Sequence, residues 1–407
     1  MNRIIAKGMV VFWFIMVLAC MASAEEPYVI GVQTDVTGPG GVNYTPVEEG
    51  FRIYIEATNA RGGINGHPIK VIYEDNKSSP PRAGAIATKM ILEDKVLGMS
   101  IISFSHSHPP VYQLAKKHGV PVIAPWSSPV GVWDPIQYDA REIFATGQVM
   151  HPKFDYLGYS APQVLVKLFP KNRTIGGISY DTPGARIFTD WALRWSEKLG
   201  YKVVYRGDIP PGTLDATPWA LKIVEAKPDI LITSFGGDLL VYLFPQLEKL
   251  GWAGAILGGN FTSLESFEKG MDLLKKQKEN IYMWTSTIPF GDIPVKGGEE
   301  ILEAMKKHGH KFRPWAHHVS GWVTAGVMVE ALARMGSPGD RSALMKALEK
   351  TNFDTKGLMG GAIQFTPTDH YGLTYTMGAK WDPIKKGWSK ATDWIKIDPK
   401  EISKLSP

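Results

Sequence analysis

The chain has 407 residues, enough for two domains of ordinary size, and 44% hydrophobic against 21% charged residues makes it globular rather than disordered. Its formal net charge of +5 is too mild for a nucleic-acid surface, and Lys and Arg are dispersed apart from short clusters such as Lys275-Lys276 and Lys385-Lys386, which read as solvated faces. A single cysteine, Cys20, leaves no disulfide framework and no Cys-based metal site.

The first residues read as an export leader. Arg3 and Lys7 form a basic start, residues 9–19 are apolar but too few to span a bilayer, and Ala22-Ser23-Ala24 is an A-x-A cleavage site. Cleavage there makes Glu25 the mature N-terminus, assigns 1–24 to the leader and removes Cys20 together with two positive charges. The competing reading is a lipid anchor at Cys20, because Val17-Leu18-Ala19-Cys20 loosely matches a lipobox; Leu18 fits that pattern poorly. No later stretch is long and apolar enough to cross a membrane.

A strand is expected over 28–33, then a Gly-rich loop, Thr34-Asp35-Val36-Thr37-Gly38-Pro39-Gly40-Gly41. Its spacing lacks the third glycine of G-x-G-x-x-G, which argues against a dinucleotide cradle. A helix is expected from about Pro46, with Val47, Phe51, Tyr54, Ile55 and Thr58 on one face, ending at Asn59-Ala60-Arg61-Gly62-Gly63. A second strand over 69–73 and a helix over 82–93 follow.

The stretch 99–129 is the organising one. An apolar run, Ile101-Ile102-Ser103-Phe104, ends at Ser105-His106-Ser107-His108. Pro109 and Pro110 suit a helix start, and Lys116-Lys117-His118-Gly119 is a basic last turn with a C′ glycine. A buried strand over 120–124 then delivers Pro125-Trp126-Ser127-Ser128 to the same edge. One β-α-β unit thus sets two Ser-rich loops side by side at the carboxyl ends of parallel strands, where open α/β sheets bind ligands. The helix N-terminus adds N–H groups suited to a carboxylate. The plainer reading is that these serines cap turns.

After Gly147 the alternation restarts. Helices are expected over 156–168, 186–199, 217–226 and 239–250, and strands over 175–180, 203–206, 230–233, 255–257 and 281–285. This is a second doubly wound lobe. Helices over 298–308, 315–335 and 342–351 rejoin the first lobe, and the tail is β-rich.

Catalytic signatures are weak. His106-Ser107-His108 and His317-His318 could hold a metal only with a third ligand, and they read better as caps and polar walls. Gly177-Ile178-Ser179-Tyr180-Asp181 breaks the G-x-S-x-G elbow at its last glycine. An exported α/β hydrolase using Ser105 and His106 is a minor alternative, and no cofactor is implied.

Thr37-Gly38-Pro39, Asn59-x-x-Gly62-Gly63-Ile64-x-Gly66, Asp75, the Ser105 loop, Val120-Pro121-Val122-Ile123-Ala124-Pro125, Asp181-Thr182-Pro183 and Pro228-Asp229-Ile230 form one pattern from about residue 28 to 381. It resembles the type I periplasmic solute-binding proteins of ABC importers, in the branched-chain amino-acid (leucine/isoleucine/valine) binding family. The resemblance implies two doubly wound Rossmann-like α/β lobes joined by three hinge crossovers, near Gly147, Thr287 and Gly378. Lobe 1 is then 25–147 plus 288–377, and lobe 2 is 148–287 plus 378–407. It implies a monomer in the periplasm, a small solute bound between closing lobes, an inner-membrane ABC permease as partner, and no enzymatic activity. A sensing module of the same fold, acting on a receptor, is the alternative within that architecture.

Carried over by the resemblance, the carboxylate-binding serine matches Ser105, beside His106, and the following loop matches Trp126, Ser127 and Ser128. Tyr44 and Phe104 could wall the site. The second-lobe aromatic after Asp181 falls near Gly184 and is absent; the next falls at Phe235 or Gly236. The acid for the ligand's ammonium falls at Asn260, with Asp181 and Asp238 as substitutes, and the family's frequent first-lobe cysteine pair is missing. A buried ammonium without an anion is costly. The expected ligand is therefore a carboxylate without an amine, aromatic or branched, with Trp126 as stacking surface; an amino acid is the alternative, should Asp181 or Asp238 replace the lost acid.

Overall fold

The computed structural model describes residues 26–125, 141–147, 156–170, 173–210, 212–233, 237–259, 264–289, 294–311, 314, 316–372 and 375–397. In the first lobe the strands are β1 (Tyr28–Thr34), β2 (Ile69–Asp75), β3 (Gly98–Ile102), β4 (Val122–Ala124) and β5 (Ile143–Ala145). They form one parallel sheet in the order β2-β1-β3-β4-β5. Helices α1 (Gly41–Asn59), α2 (Pro80–Leu92) and α3 (His108–His118) are the crossovers. Both faces of such a sheet must be covered. On one side Tyr28, Ile30 and Val32 share an apolar core with α1, and on the other Met99 and Ile101 share one with α2 and α3.

The second sheet repeats this plan. Its strands are β6 (Thr174–Tyr180), β7 (Lys202–Ile209), β8 (Ile230–Thr233), β9 (Ala255–Gly259) and β10 (Ile281–Thr285), ordered β7-β6-β8-β9-β10 and parallel. Helices α4 (Tyr156–Leu168), α5 (Pro183–Lys198), α6 (Thr217–Ala226), α7 (Gly237–Tyr242), α8 (Phe244–Lys249) and α9 (Leu264–Leu273) accompany them. After β10 the chain forms α10 (Lys296–Lys307), α11 (Ala316–Met335) and α12 (Arg341–Leu348), then a small hairpin of β11 (Asn352–Phe353) and β12 (Ile363–Gln364). These pack in the first lobe's core, through residues such as Ile301, Val323, Leu344 and Ile363. The chain then returns to the second sheet as β13 (Tyr375–Asp382), antiparallel to β10, followed by β14 (Gly387–Lys390) and β15 (Ile395–Lys396). The chain therefore passes between the sheets three times.

Several element bounds differ from the sequence expectation for physical reasons. Helix α1 begins at Gly41 and contains Pro46; its first turn is wound by bonds from the Gly41 N–H to Gly38 O (3.1 Å) and the Tyr44 N–H to Gly40 O (3.0 Å). The single helix expected over 239–250 is two, because Pro245 sits in the first turn of α8, where its missing N–H is tolerated. Gly378 is not a crossover. It lies inside β13, paired with Trp284, and the return to the second sheet is complete by Tyr375. Gly372, whose N–H bonds Ala145 O at 2.8 Å, is still with the first sheet. The reason for glycine at 378 is packing, since a Cβ there would meet Val164 Cγ1 at 2.8 Å. The leader, Cys20 and Glu25 lie outside the described residues, and no described helix is long and apolar enough to cross a membrane.

Helices α1 and α11 cross in close backbone contact. A Cβ on Gly50 would stand 2.0 Å from the carbonyl oxygen of His318, and one on Gly321 would stand 1.9 Å from that of Val47. The contact anchors α1, whose N-terminus bears on the site described next.

Candidate functional site

A parallel sheet ordered 2-1-3-4-5 reverses its winding between strands 1 and 3, and ligands bind in the crevice that opens there at the carboxyl ends. Both sheets have this order, so each has such a point: between β1 and β3 in the first lobe, and between β6 and β8 in the second.

In the first lobe the β1–α1 loop and the turn after β3 border the crevice. Ser105–Ser107 forms a 3-10 turn that runs directly into α3, and α3 ends at Gly119 in the left-handed conformation (φ 62°). The proline start and glycine stop thus lie where the sequence placed them. The N–H groups that open such a turn lack intrahelical partners and point outward.

Three aromatic rings line this lip. Tyr44 meets Phe104 edge to face at 5.2 Å, and Phe104 stacks on His106 at 5.8 Å. His106 is exposed and donates through Nε2 to the carbonyl of Ser78 at 2.7 Å. That bond fixes the tautomer: in the neutral ring Nδ1 is an acceptor. His108, two residues on, is buried and turned inward, bonding Ser103 O at 2.9 Å, and burial pushes its pKa down to about 4. The H-x-H pair therefore does not converge, and no group of three potential metal ligands occurs among the described residues.

Beneath the rings lies a buried polar network that the sequence reading missed. Asp35 is fully buried and accepts from the Gly40 N–H at 2.7 Å and from the Ser78 hydroxyl. Asn76 Oδ1 accepts from the Ser78 N–H (3.0 Å) and the Ser103 hydroxyl (2.9 Å). Asp75 accepts from the Val36 N–H (3.1 Å), the Lys77 N–H (3.0 Å) and Thr37. Partial burial raises the Asp75 pKa, but bonds from Thr37, Lys77 and Val36 outweigh it and hold the carboxyl below its ordinary value. Burial, then the Asp35 charge, pushes the Tyr44 phenol up. Two adjacent left-handed residues, Lys77 (φ 53°) and Ser78 (φ 55°), are held in place by these side chains. Strained non-glycine backbone of this kind costs about 1–3 kcal/mol per residue and survives where neighbours over-determine it. The signal in the sequence was the run Asp75-Asn76-Lys77-Ser78, a polar cluster at a strand end.

From the second lobe, α5 approaches the Ser105–Ser107 turn. Asp181, at the end of β6, forms an ion pair with Arg186 in the first turn of α5. Arg186 also lies 3.6 Å from Asp208, which bonds Arg206 at 2.7 Å and the Ser179 hydroxyl at 2.5 Å. Asp181 thus already has a cation. Gly184 lies in the first turn of α5, so no aromatic occupies that place. Trp126, Ser127, Ser128, Phe235, Gly236 and Asn260 lie outside the described residues, as does the side chain of Asp238. The site so far consists of Tyr44, Phe104, Ser105 and His106 over the Asp35 network, facing the start of α5.

His317 and His318 belong elsewhere. They are buried on α11, and His318 Nε2 lies 3.1 Å from Glu49 of α1. Burial, and then the neighbouring His318, lowers the His317 pKa to about 3. An open cavity of about 670 Å³, lined in part by Phe169, Trp252 and Tyr282, lies at the amino ends of β8, β9 and β10, away from the crevice.

A family model described as "Periplasmic binding protein" matches residues 27–387. The chain is 23% identical over 389 residues to a "Leu/Ile/Val-binding protein homolog 7" of Brucella suis biovar 1, covering 90% of this chain and 92% of that one. Among solved structures it is similar to a branched-chain amino-acid ABC transporter protein from Thermus thermophilus with bound valine. The TM-score there is 0.77 at 16% identity, over 92% and 97% of the two chains. It is also similar to a fatty-acid ABC transporter substrate-binding protein from Thermomonospora curvata, with a TM-score of 0.74 at 21% identity, over 92% and 93%. At these identities the structural likeness establishes the fold.

Proposed function

The chain belongs to the periplasmic binding protein family, and we propose on that premise that it is the extracytoplasmic solute-binding component of an ABC importer. It captures a small carboxylate-bearing solute between two closing lobes and hands it to an inner-membrane permease. The observation that carries this is the placing of the Ser105–Ser107 turn, with its outward N–H groups, at the winding reversal of the first sheet and opposite α5. The relatives' names support it: one binds valine and another is named for fatty acids, and the group those ligands share is the carboxylate. In this reading the lobes are 25–147 with 288–372 and 148–287 with 375–407, the chain acts as a monomer, and ligand contacts favour the closed state.

The solute is an aromatic or branched acid without an α-amine. Two considerations support this over an amino acid. By the resemblance Asn260 falls at the position of the family's acid, and Asp181 is ion-paired with Arg186. Tyr44 and Phe104 supply apolar walls and Ser105 binds the carboxylate, with Trp126, Ser127 and Ser128 completing the first-lobe side and Phe235 and Gly236 the second.

Calorimetry on paired acids with and without the α-amine tests it, after mass spectrometry of any co-purified solute. The amine-free member should bind tighter, and Ser105→Ala should lose about 1.5–3 kcal/mol of affinity through one bond to a charged group. Preference for the amine-bearing member throughout would refute the pocket chemistry and leave the transport role standing.

A further inference from the structure

The lip of the first-lobe crevice carries a titratable group, His106, directly after the serine assigned to the solute's carboxylate. Its side chain is exposed, whereas Ser107 and His108, which follow it in the turn, are buried. Two contacts fix the ring. Phe104 covers one face at 5.8 Å with 20° between the planes, and Nε2 donates to Ser78 O at 2.7 Å. Ser78 is itself held, its N–H on Asn76 Oδ1 at 3.0 Å and its hydroxyl on buried Asp35. The two nitrogens of an imidazole diverge, so Nδ1 is turned away from Ser78. Among the described residues Nδ1 has no hydrogen-bond partner.

Protonation leaves this arrangement intact. Nε2 donates to Ser78 O in the neutral ring and in the imidazolium alike, and the second proton enters at Nδ1, turning an acceptor into a charged donor. Most charged groups on the elements around the turn are already engaged. Asp35 accepts from the Gly40 N–H and Asp75 from the Val36 N–H, while Arg82 of α2 donates to Asp75 O at 2.6 Å. On α5, which approaches the turn, Arg186 is ion-paired with Asp181, and Asp190 with Arg206. Burial lowers the His108 pKa to about 4, so that ring stays neutral near pH 7. Lys77, exposed in the turn after β2, is the cation that remains.

We propose that His106 is a proton-dependent donor to the solute's carboxylate, so that capture takes up a proton from solvent at Nδ1. The inference rests on the reading that a carboxylate binds at Ser105, and it holds for acids with or without an α-amine. An anion beside an imidazole favours its charged form. The bound protein therefore holds more proton than the free one in the pH range where imidazole titrates. Affinity then rises as pH falls through that range and levels off once the free ring is charged. The acids themselves stay ionised above about pH 6, since carboxyl groups titrate near 4. An ion pair that favours the charged ring about tenfold makes the low-pH affinity about tenfold higher.

The purified exported chain is titrated calorimetrically with hydrocinnamate, isovalerate, phenylalanine and valine, at about pH 6, 7.5 and 8.5 and in buffers of different ionisation enthalpy. For each acid that binds, the heat near neutral pH should vary with the buffer so as to report fractional proton uptake. Affinity at about pH 6 should exceed that at about pH 8.5 roughly tenfold. His106→Gln and His106→Asn should abolish the uptake and flatten the profile, with melting curves to show that they fold. Ser105→Ala should weaken binding at every pH and keep the slope, and Lys77→Gln should keep both slope and uptake. Binding by the wild type without proton uptake, whatever the variants do, overturns the proposal and leaves the carboxylate reading standing. Uptake that survives in the His106 variants, or that is lost in Lys77→Gln, overturns it as well. Binding of phenylalanine and valine alone, with uptake through His106, refutes the amine-free pocket and supports this inference. Binding of none of these acids overturns both.

Discussion

Gly321→Ala should destabilise the fold although alanine is the better helix former. The new Cβ would lie 1.9 Å from the carbonyl oxygen of Val47 and, as built, 2.8 Å from the Phe51 nitrogen. Both are backbone atoms of α1, so no side chain can swing away. An ordinary contact begins at 3.4 Å, so α1 and α11 must separate by more than an ångström. That separation loosens the packing around Phe51 and Val323, both fully buried in the shared core. Overpacking of this kind costs about 1–3 kcal/mol, and helix propensity returns about 1 kcal/mol. With rigid atoms opposing the methyl, the net loss should be about 2 kcal/mol. Urea unfolding followed by circular dichroism measures it, as a lower midpoint at unchanged slope. Gly50→Ala should behave alike, facing His318 O at 2.0 Å. Gly84→Ala in α2 is the contrast: its nearest neighbour is the Pro110 Cβ at 3.3 Å, so its change should be small. A Gly321→Ala protein as stable as the wild type would refute the reading of the α1–α11 contact.

Three further outcomes are expected. Stability should fall as pH drops below about 6.5: burial lowers the pKa of His108 and His370 to about 4 and of His317 to about 3, so the unfolded chain takes up protons that the folded chain refuses. The loss should accumulate between pH 6.5 and 4 in thermal melts and flatten in a His108→Gln, His317→Gln, His370→Gln protein; a melting temperature independent of pH across that window would contradict it. Ser78→Gly keeps the left-handed backbone but removes the hydroxyl on Asp35; the lost bond to a charged group, about 1.5–3 kcal/mol, is largely offset by relief of about 1–3 kcal/mol of backbone strain, so global stability should change little while hydrogen exchange at Gly40 speeds, whereas unchanged exchange would mean the network does not hold the loop. N-terminal sequencing of the exported chain should begin at Glu25; a lipid-modified Cys20 as first residue would replace cleavage after Ala24 by anchoring.

The parts of the fold that were legible in advance are those written in local chemistry. Helix α3 could be bounded from Pro109, Pro110 and Gly119 alone, because a missing N–H and a positive φ act within a few residues. The strand and helix alternation of both lobes was visible from periodicity, and β8 and α6 fall on their expected residues. Local signals also existed for two misreadings. Pro245 marked the break between α7 and α8, and the turns wound by Gly38 and Gly40 moved the start of α1 ahead of Pro46.

Other features belong to residues far apart in the chain, and no short window contains them. The family resemblance placed a hinge near Gly378, yet the reason for glycine there is Val164, more than two hundred residues away. Asp181 is ion-paired with Arg186 of α5, and the segments of Lys275 and Lys385 lie side by side although 110 residues separate them. Local signals in the chain were enough for the two-lobed α/β architecture and the Ser105 turn, because capping, chain reversal and hydrophobic period are short-range effects. Long-range packing alone sets which glycines serve close contacts, which carboxylates are paired, and that Asp35, Asn76 and Ser78 form one buried network. Those outcomes depend on distances between strands and helices that sequence separation does not encode.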